Sequence, residues 1–131
     1  MEILVKDGST DKIVLGVDGG DSSTPGDFKV DGRLILSQQA DTASAGTISL
    51  GNNLTRITGT TKISKISTTN WQQGSVVILH FTDALDLEHG AGGSGQFYLK
   101  AGTDLSVAAE DVVGFVLVNA GVGNNTWYQI F

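Results

Sequence analysis

The side chains best equipped for chemistry are two histidines, His80 and His89, with Asp83, Asp86 and Glu88 around them. Imidazole and carboxylate groups brought together across the corner from Phe81 to Leu85 would suit zinc or another transition ion. The bland alternative fits the pattern better. His80 interrupts an otherwise apolar strand, and His89 closes a strand ahead of a glycine loop. Neither is assigned as a ligand, although in a symmetric trimer one inward histidine would meet its copies on the axis.

A second candidate is Asp18 to Asp31, where aspartates stand among glycines and serines as in a calcium loop. An EF-hand needs acidic groups at fixed offsets and a closing glutamate. Gly20 and Ser22 fill the third and fifth places counted from Asp18, and no glutamate follows. The segment is expected to be a solvated acidic turn. Gly92-Gly93-Ser94-Gly95-Gln96 lacks the spacing and the following helix of a nucleophile elbow, and there is no phosphate-cradling or dinucleotide-binding glycine motif. Carboxylate pairs such as Asp83 with Asp86, or Glu110 with Asp111, have no separation that a linear sequence defines. With no cysteine, thiolate sites and cysteine nucleophiles are excluded. No catalytic, cofactor-binding or metal residue is assigned, no cofactor is expected, and the chain is read as a non-enzyme.

The elements around these residues are strands. Apolar stretches are short and bounded by Gly, Asn, Asp, Ser or Thr, and helical periodicity is almost absent. Ile3 to Lys6 with Lys12 to Val17, and Phe28 to Val30 with Leu34 to Leu36, read as hairpins around Asp-Gly corners. Gln38 to Gly46 reads as loop. Strands are expected at Thr47 to Leu50, Thr55 to Thr58, Thr61 to Ile66, Ser75 to Phe81, Leu85 to Glu88, Phe97 to Lys100, Val112 to Val118 and Thr126 to Phe131. In Ser75 to Phe81, Val76, Ile78 and His80 share one face, and Val77, Leu79 and Phe81 the other, so both faces are expected to be covered.

The 131 residues include 18 glycines and one proline, and the net charge is −6. That composition suits a turn-rich β protein, and the acidic balance with scattered basic residues argues against nucleic acid as a partner. The longest apolar runs are strand-sized, so no membrane insertion is expected. Met1 leads into Glu2 and Lys6 rather than a basic and then apolar leader, so no signal peptide is expected. Trp71, Phe97, Tyr98, Trp127 and Tyr128 are expected to pack in a core or subunit contact rather than form a sugar platform.

Several stretches, in order, carry a resemblance. They are Ile57-Thr58-Gly59-Thr60-Thr61-Lys62-Ile63, Trp71 to Leu79, Leu85-Asp86-Leu87-Glu88-His89, Phe97-Tyr98-Leu99, Ala108 to Val116, and Asn125 to Ile130. Together they resemble the C-terminal, β-structured, typically homotrimeric module of bacteriophage tail fibres, tailspikes and related virion proteins. The resemblance implies a virion structural protein. At this length the expected post is a homotrimeric capsid decoration protein, a cement protein or head fibre, touching the major capsid protein or other virion proteins. The alternative is a receptor-binding tail-fibre or tailspike tip that meets a host surface glycan or receptor through Gly90 to Gln96 and Ala120 to Thr126. The expected fold is all-β, with short antiparallel strands in a compact β-sandwich or barrel-like module over 47–131. An N-terminal β-hairpin attachment region over 1–46 precedes it. Trimerisation has a physical motive too, since strands apolar on both faces in a small chain gain cover from identical neighbours.

Overall fold

A computed structural model describes residues 34–121 and 123–131, and Leu36–Phe131 form one compact unit. The hairpin at 3–17, the strand at 28–30 and the aspartate-rich turn at 18–31 lie outside the described residues. Leu34 to Leu36, expected as the second arm of a hairpin, carries no strand.

The unit is all-β, with no helix among the described residues, and hence none long and apolar enough to cross a membrane. Its ten strands are β1 (Thr42–Ala43), β2 (Thr47–Ile48), β3 (Leu54–Thr58), β4 (Lys65–Ile66), β5 (Val76–Phe81), β6 (Leu85–Leu87), β7 (Phe97–Tyr98), β8 (Leu105–Val107), β9 (Val112–Asn119) and β10 (Asn125–Gln129). Six of them make a curled mixed sheet, a half-barrel, in the order β1-β3-β5-β9-β10-β7. Two small ladders, β2 with β4 and β6 with β8, complete the unit.

The expectation of antiparallel strands is corrected by the pairing. β1 with β3, β3 with β5, β2 with β4 and β10 with β7 are all parallel. From β1 to β6 the chain winds as a coil, visiting the large sheet at β1, β3 and β5 and a second line at β2, β4 and β6. A parallel bridge from Ile63 to Leu87 continues that second line. Parallel neighbours need a long crossover between them, and here the crossover is the visit to the second line. Backbone bonds tie one turn of the coil to the next. Ser44 N–H donates to Thr58 (2.7 Å), Thr82 N–H to Ile57 (2.9 Å), and Ser64 N–H to Gly46 (2.8 Å). The residues expected as a loop, Gln38 to Gly46, thus contain β1 and are stitched into the body. After β8 the rule changes, and β9 runs antiparallel to both β5 and β10.

Strand alternation then sorts the side chains. Val77, Leu79 and Phe81 of β5, Val113, Phe115 and Leu117 of β9, Ile57 of β3, Phe97 of β7 and Trp127 of β10 all point inward and are buried. They meet Ile48, Ile63, Ile66, Leu87 and Val107 from the second line and the small ladders. Burying each such side chain is worth about 1.5–3 kcal/mol, so this single core dominates the unit's stability. Trp127 anchors it with polarity satisfied, its indole N–H donating to the Ile66 carbonyl at 3.1 Å. Gly95 lets the backbone approach Ile66 closely: its carbonyl accepts from Ile66 N–H (3.0 Å), its φ is +85°, and a Cβ there would collide with the Ile66 carbonyl.

Candidate interaction surface

Among the described residues, little packs over the other face of the large sheet. Both sides of β5 were expected to be covered, but Val76 is exposed and Ile78 and His80 are only half-buried. The register lines up the outward residues in rows across the strands. Arg56, His80 and Val112 make one row, and Leu54, Ile78, Gly114 and Ile130 the next. Val76, Val116, Tyr128 and Tyr98 follow, and Val118 closes the face beside Thr126, which is itself buried. Eight large apolar side chains are exposed among the described residues. Six of them, Val76, Tyr98, Val112, Val118, Ile130 and Phe131, belong to this face. Singly scattered apolar residues need no explanation, whereas a contiguous patch marks an interaction site.

Two features shape the face. Ile130 N–H donates to the Gly114 carbonyl (2.8 Å) while Gly114 N–H donates to the Phe131 carbonyl (3.2 Å), so two residues oppose one, as in a β-bulge. The Phe131 ring consequently lies where a Gly114 side chain would stand. Farther along, Tyr98 and Tyr128 stack with ring centres 4.9 Å apart, and His89 leans on Tyr98 at 5.0 Å. Charges keep to the rim. His80 Nε2 lies 3.0 Å from Glu110 Oε2, Arg56 Nη2 lies 3.6 Å from Asp41 Oδ2, and Lys100 Nζ donates to the Ile130 carbonyl at 2.7 Å.

The chemistry-bearing residues are dispersed. His80 faces outward on β5, whereas His89 uses Nδ1 to accept from the Leu99 amide (3.0 Å). Among the described residues no three His, Asp or Glu side chains converge as a metal site. Asp86 accepts from the Ser106 hydroxyl (2.6 Å) and Glu88 from Ser64 (2.5 Å). Asp83 is held below the usual carboxylate range by the Thr82 hydroxyl and the Gly59 amide. Asp104 is lowered by its bond to Lys62 and the His89 amide, and the same bond raises Lys62. Asp111 caps its own turn by accepting from Ala108 N–H (2.8 Å). Among the described residues the Ser94 hydroxyl meets that of Thr68, 3.1 Å away, and no helix follows it.

The aromatic residues divide. Trp127 and Phe97 are buried, and Trp71 packs edge-on to Trp127 at 5.8 Å with its indole N–H on the Leu50 carbonyl (3.2 Å). Tyr98 and Tyr128 face outward. The two loops singled out for recognition also meet, since Gly95 N–H donates to the Asn125 carbonyl at 2.7 Å. Sequence reasoning missed Gly114 as the seat of Phe131, although a glycine inside an apolar strand and an apolar final segment were both visible signals. Comparison with protein-family models, with curated proteins and with solved structures found no match.

Proposed function

We propose that this chain is a bacteriophage virion structural protein, a homotrimeric, sandwich-like decoration subunit of the capsid, whose function is contact rather than turnover. The observation that carries the proposal is the apolar outer face, with six of the eight exposed large apolar side chains on one side of one sheet. Cover by second copies would account for the apolar area that the described residues leave exposed. The ordered resemblance to virion modules supports the same role. Quantitative copy counting on purified particles with the labelled protein tests it. Hundreds of copies on the capsid are expected, and a handful at the tail would overturn the capsid assignment.

A second reading, a receptor-binding fibre or tailspike tip, draws on the meeting of the Gly90–Gln96 and 120–126 loops through Gly95 and Asn125. Host-cell adsorption separates the two: a decoration subunit leaves adsorption unchanged when omitted, and a tip abolishes it.

A further inference from the structure

We infer that the outer face closes against neighbouring copies head to tail, with Lys100 of one copy meeting Glu110 of the next. This inference rests on the assembly reading above and adds the partner and the register.

The face is charged at its poles and uncharged between them. At the β7 edge stands Lys100, tied down by two bonds, its amide to Gln129 Oε1 (3.0 Å) and its Nζ to the Ile130 carbonyl (2.7 Å). Among the described residues it pairs with no carboxylate. Beside the C-terminal end of β5 lies the opposite pole. Glu110 and Asp111 follow from backbone bonds to Phe81, Glu110 N–H donating to its carbonyl (2.7 Å) and Phe81 N–H to Asp111 (2.9 Å). Asp83 and Asp41 stand nearby with Arg56 as the local guanidinium. The Glu110 side chain is 77% exposed, with its Oε2 3.0 Å from His80 Nε2 on the same chain.

Glu110 directly precedes β9, so the order β9-β10-β7 puts two inter-strand spacings between the poles, about 10 Å across the strands, and the four residues from Glu110 to Gly114, which pairs with Ile130 beside Lys100, add about 13 Å along them. They do not reach one another within one chain, and Lys100 bonds instead to a carbonyl. Between the poles lie Ile78, Val116, Tyr128 and Phe131, with no charged side chain among them. A chain of net charge −6 repels its own copies at long range, so a contact between copies gains most where a cation sits on an apolar rim. The same chain supplies the matching acidic pole. Where the Lys100 side of one copy meets the Glu110 end of the next the contact is heterologous, and heterologous contacts close into rings when the rotation permits.

The test is charge reversal with sedimentation velocity as the readout. The set is the unaltered protein, Lys100→Glu, Glu110→Lys and the double variant. Both side chains are exposed, so each variant should keep its β circular-dichroism spectrum, and loss of the surface bonds to the Ile130 carbonyl or to His80 should lower the thermal midpoint only slightly. Like charges across an interface are costly, so each single reversal is expected to weaken trimerisation at least about tenfold. The double reversal, with the poles exchanged, should recover most of it. Trimers indifferent to either single reversal, or a double variant no tighter than the weaker single, would overturn the inference and leave the assembly reading standing. A stable twofold dimer would overturn the head-to-tail ring. A monomer of the unaltered protein at micromolar concentration would overturn both.

Discussion

The Phe131 ring lies directly on the bare Cα of Gly114: a Cβ built on Gly114 would stand 2.5 Å from two of its ring carbons. Gly114 has no positive φ, so the demand here is space rather than backbone freedom. Gly114→Ala should displace the ring, and because the atoms it meets are the far end of a half-exposed side chain the cost should be about 1 kcal/mol or less, measured as a lower urea midpoint at unchanged slope. Phe131→Ala, which removes the same ring, should cost about as much in that measurement, and both should weaken self-association. Self-association of Gly114→Ala equal to that of the unaltered protein would contradict the seat.

Adjacent residues of β9 make a sharper test of the two faces. Val113 is 6% exposed and Val112 49%. Val113→Asp places a carboxylate in the core at a cost of several kcal/mol, and is expected to unfold the unit. Val112→Asp should change the stability of the dissociated chain by no more than about 0.5 kcal/mol, yet lower the sedimentation coefficient by abolishing assembly. If Val112→Asp assembles normally, the outer face is not the contact.

Thr55 stands on the inner side of β3, fully buried, opposite Leu79 in the register. Its hydroxyl has no hydrogen-bond partner among the described residues. An unpaired buried polar group costs about 1–3 kcal/mol, so Thr55→Val, which keeps the shape, should stabilise the protein by about 1 kcal/mol. A loss of stability on substitution would mean that the hydroxyl is bonded after all.

The exposed carboxylates predict a pH dependence with a definite sign. Asp83 and Asp104 have folded pKa values below the reference 3.8, so their contribution is complete above that value and is lost as pH falls through the lower folded value. Lys62 is raised above 10.5. Its contribution is complete below that value and lost as pH rises through the raised one. Thermal midpoints of Asp104→Asn should therefore fall less steeply on both the acid and the alkaline limb than those of the unaltered protein. Both effects should shrink in high salt, since these groups face water.

Much of the architecture was legible locally. The apolar alternation of Val76–Phe81, the run Val112–Asn119 and the aromatic closing segment identify the three central strands, because side-chain period and β-branched content are properties of neighbouring residues. Leu105–Val107 went unread because three residues between Asp104 and Ala108 offer too short an alternation. Thr42–Ala43 is strand only because Ile57 and Thr58 lie beside it, a tertiary fact. Strand direction was equally hidden: the same alternation serves parallel and antiparallel partners, and the crossovers through Thr47–Ile48 and Lys65–Ile66 decide between them.

By itself the sequence determined the class, all-β and glycine-punctuated, and it marked Val76–Phe81 and Val112–Val118 as strands largely apolar on both sides. Only the tertiary structure decided which side remains bare. Burial of Val77, Leu79 and Phe81 beside Val113, Phe115 and Leu117 forces Val76, Val112 and Val118 outward together, and the register then aligns them with Tyr128, Tyr98 and Phe131. A face is a property of paired strands, because it exists only once backbone hydrogen bonds set residues distant in sequence side by side.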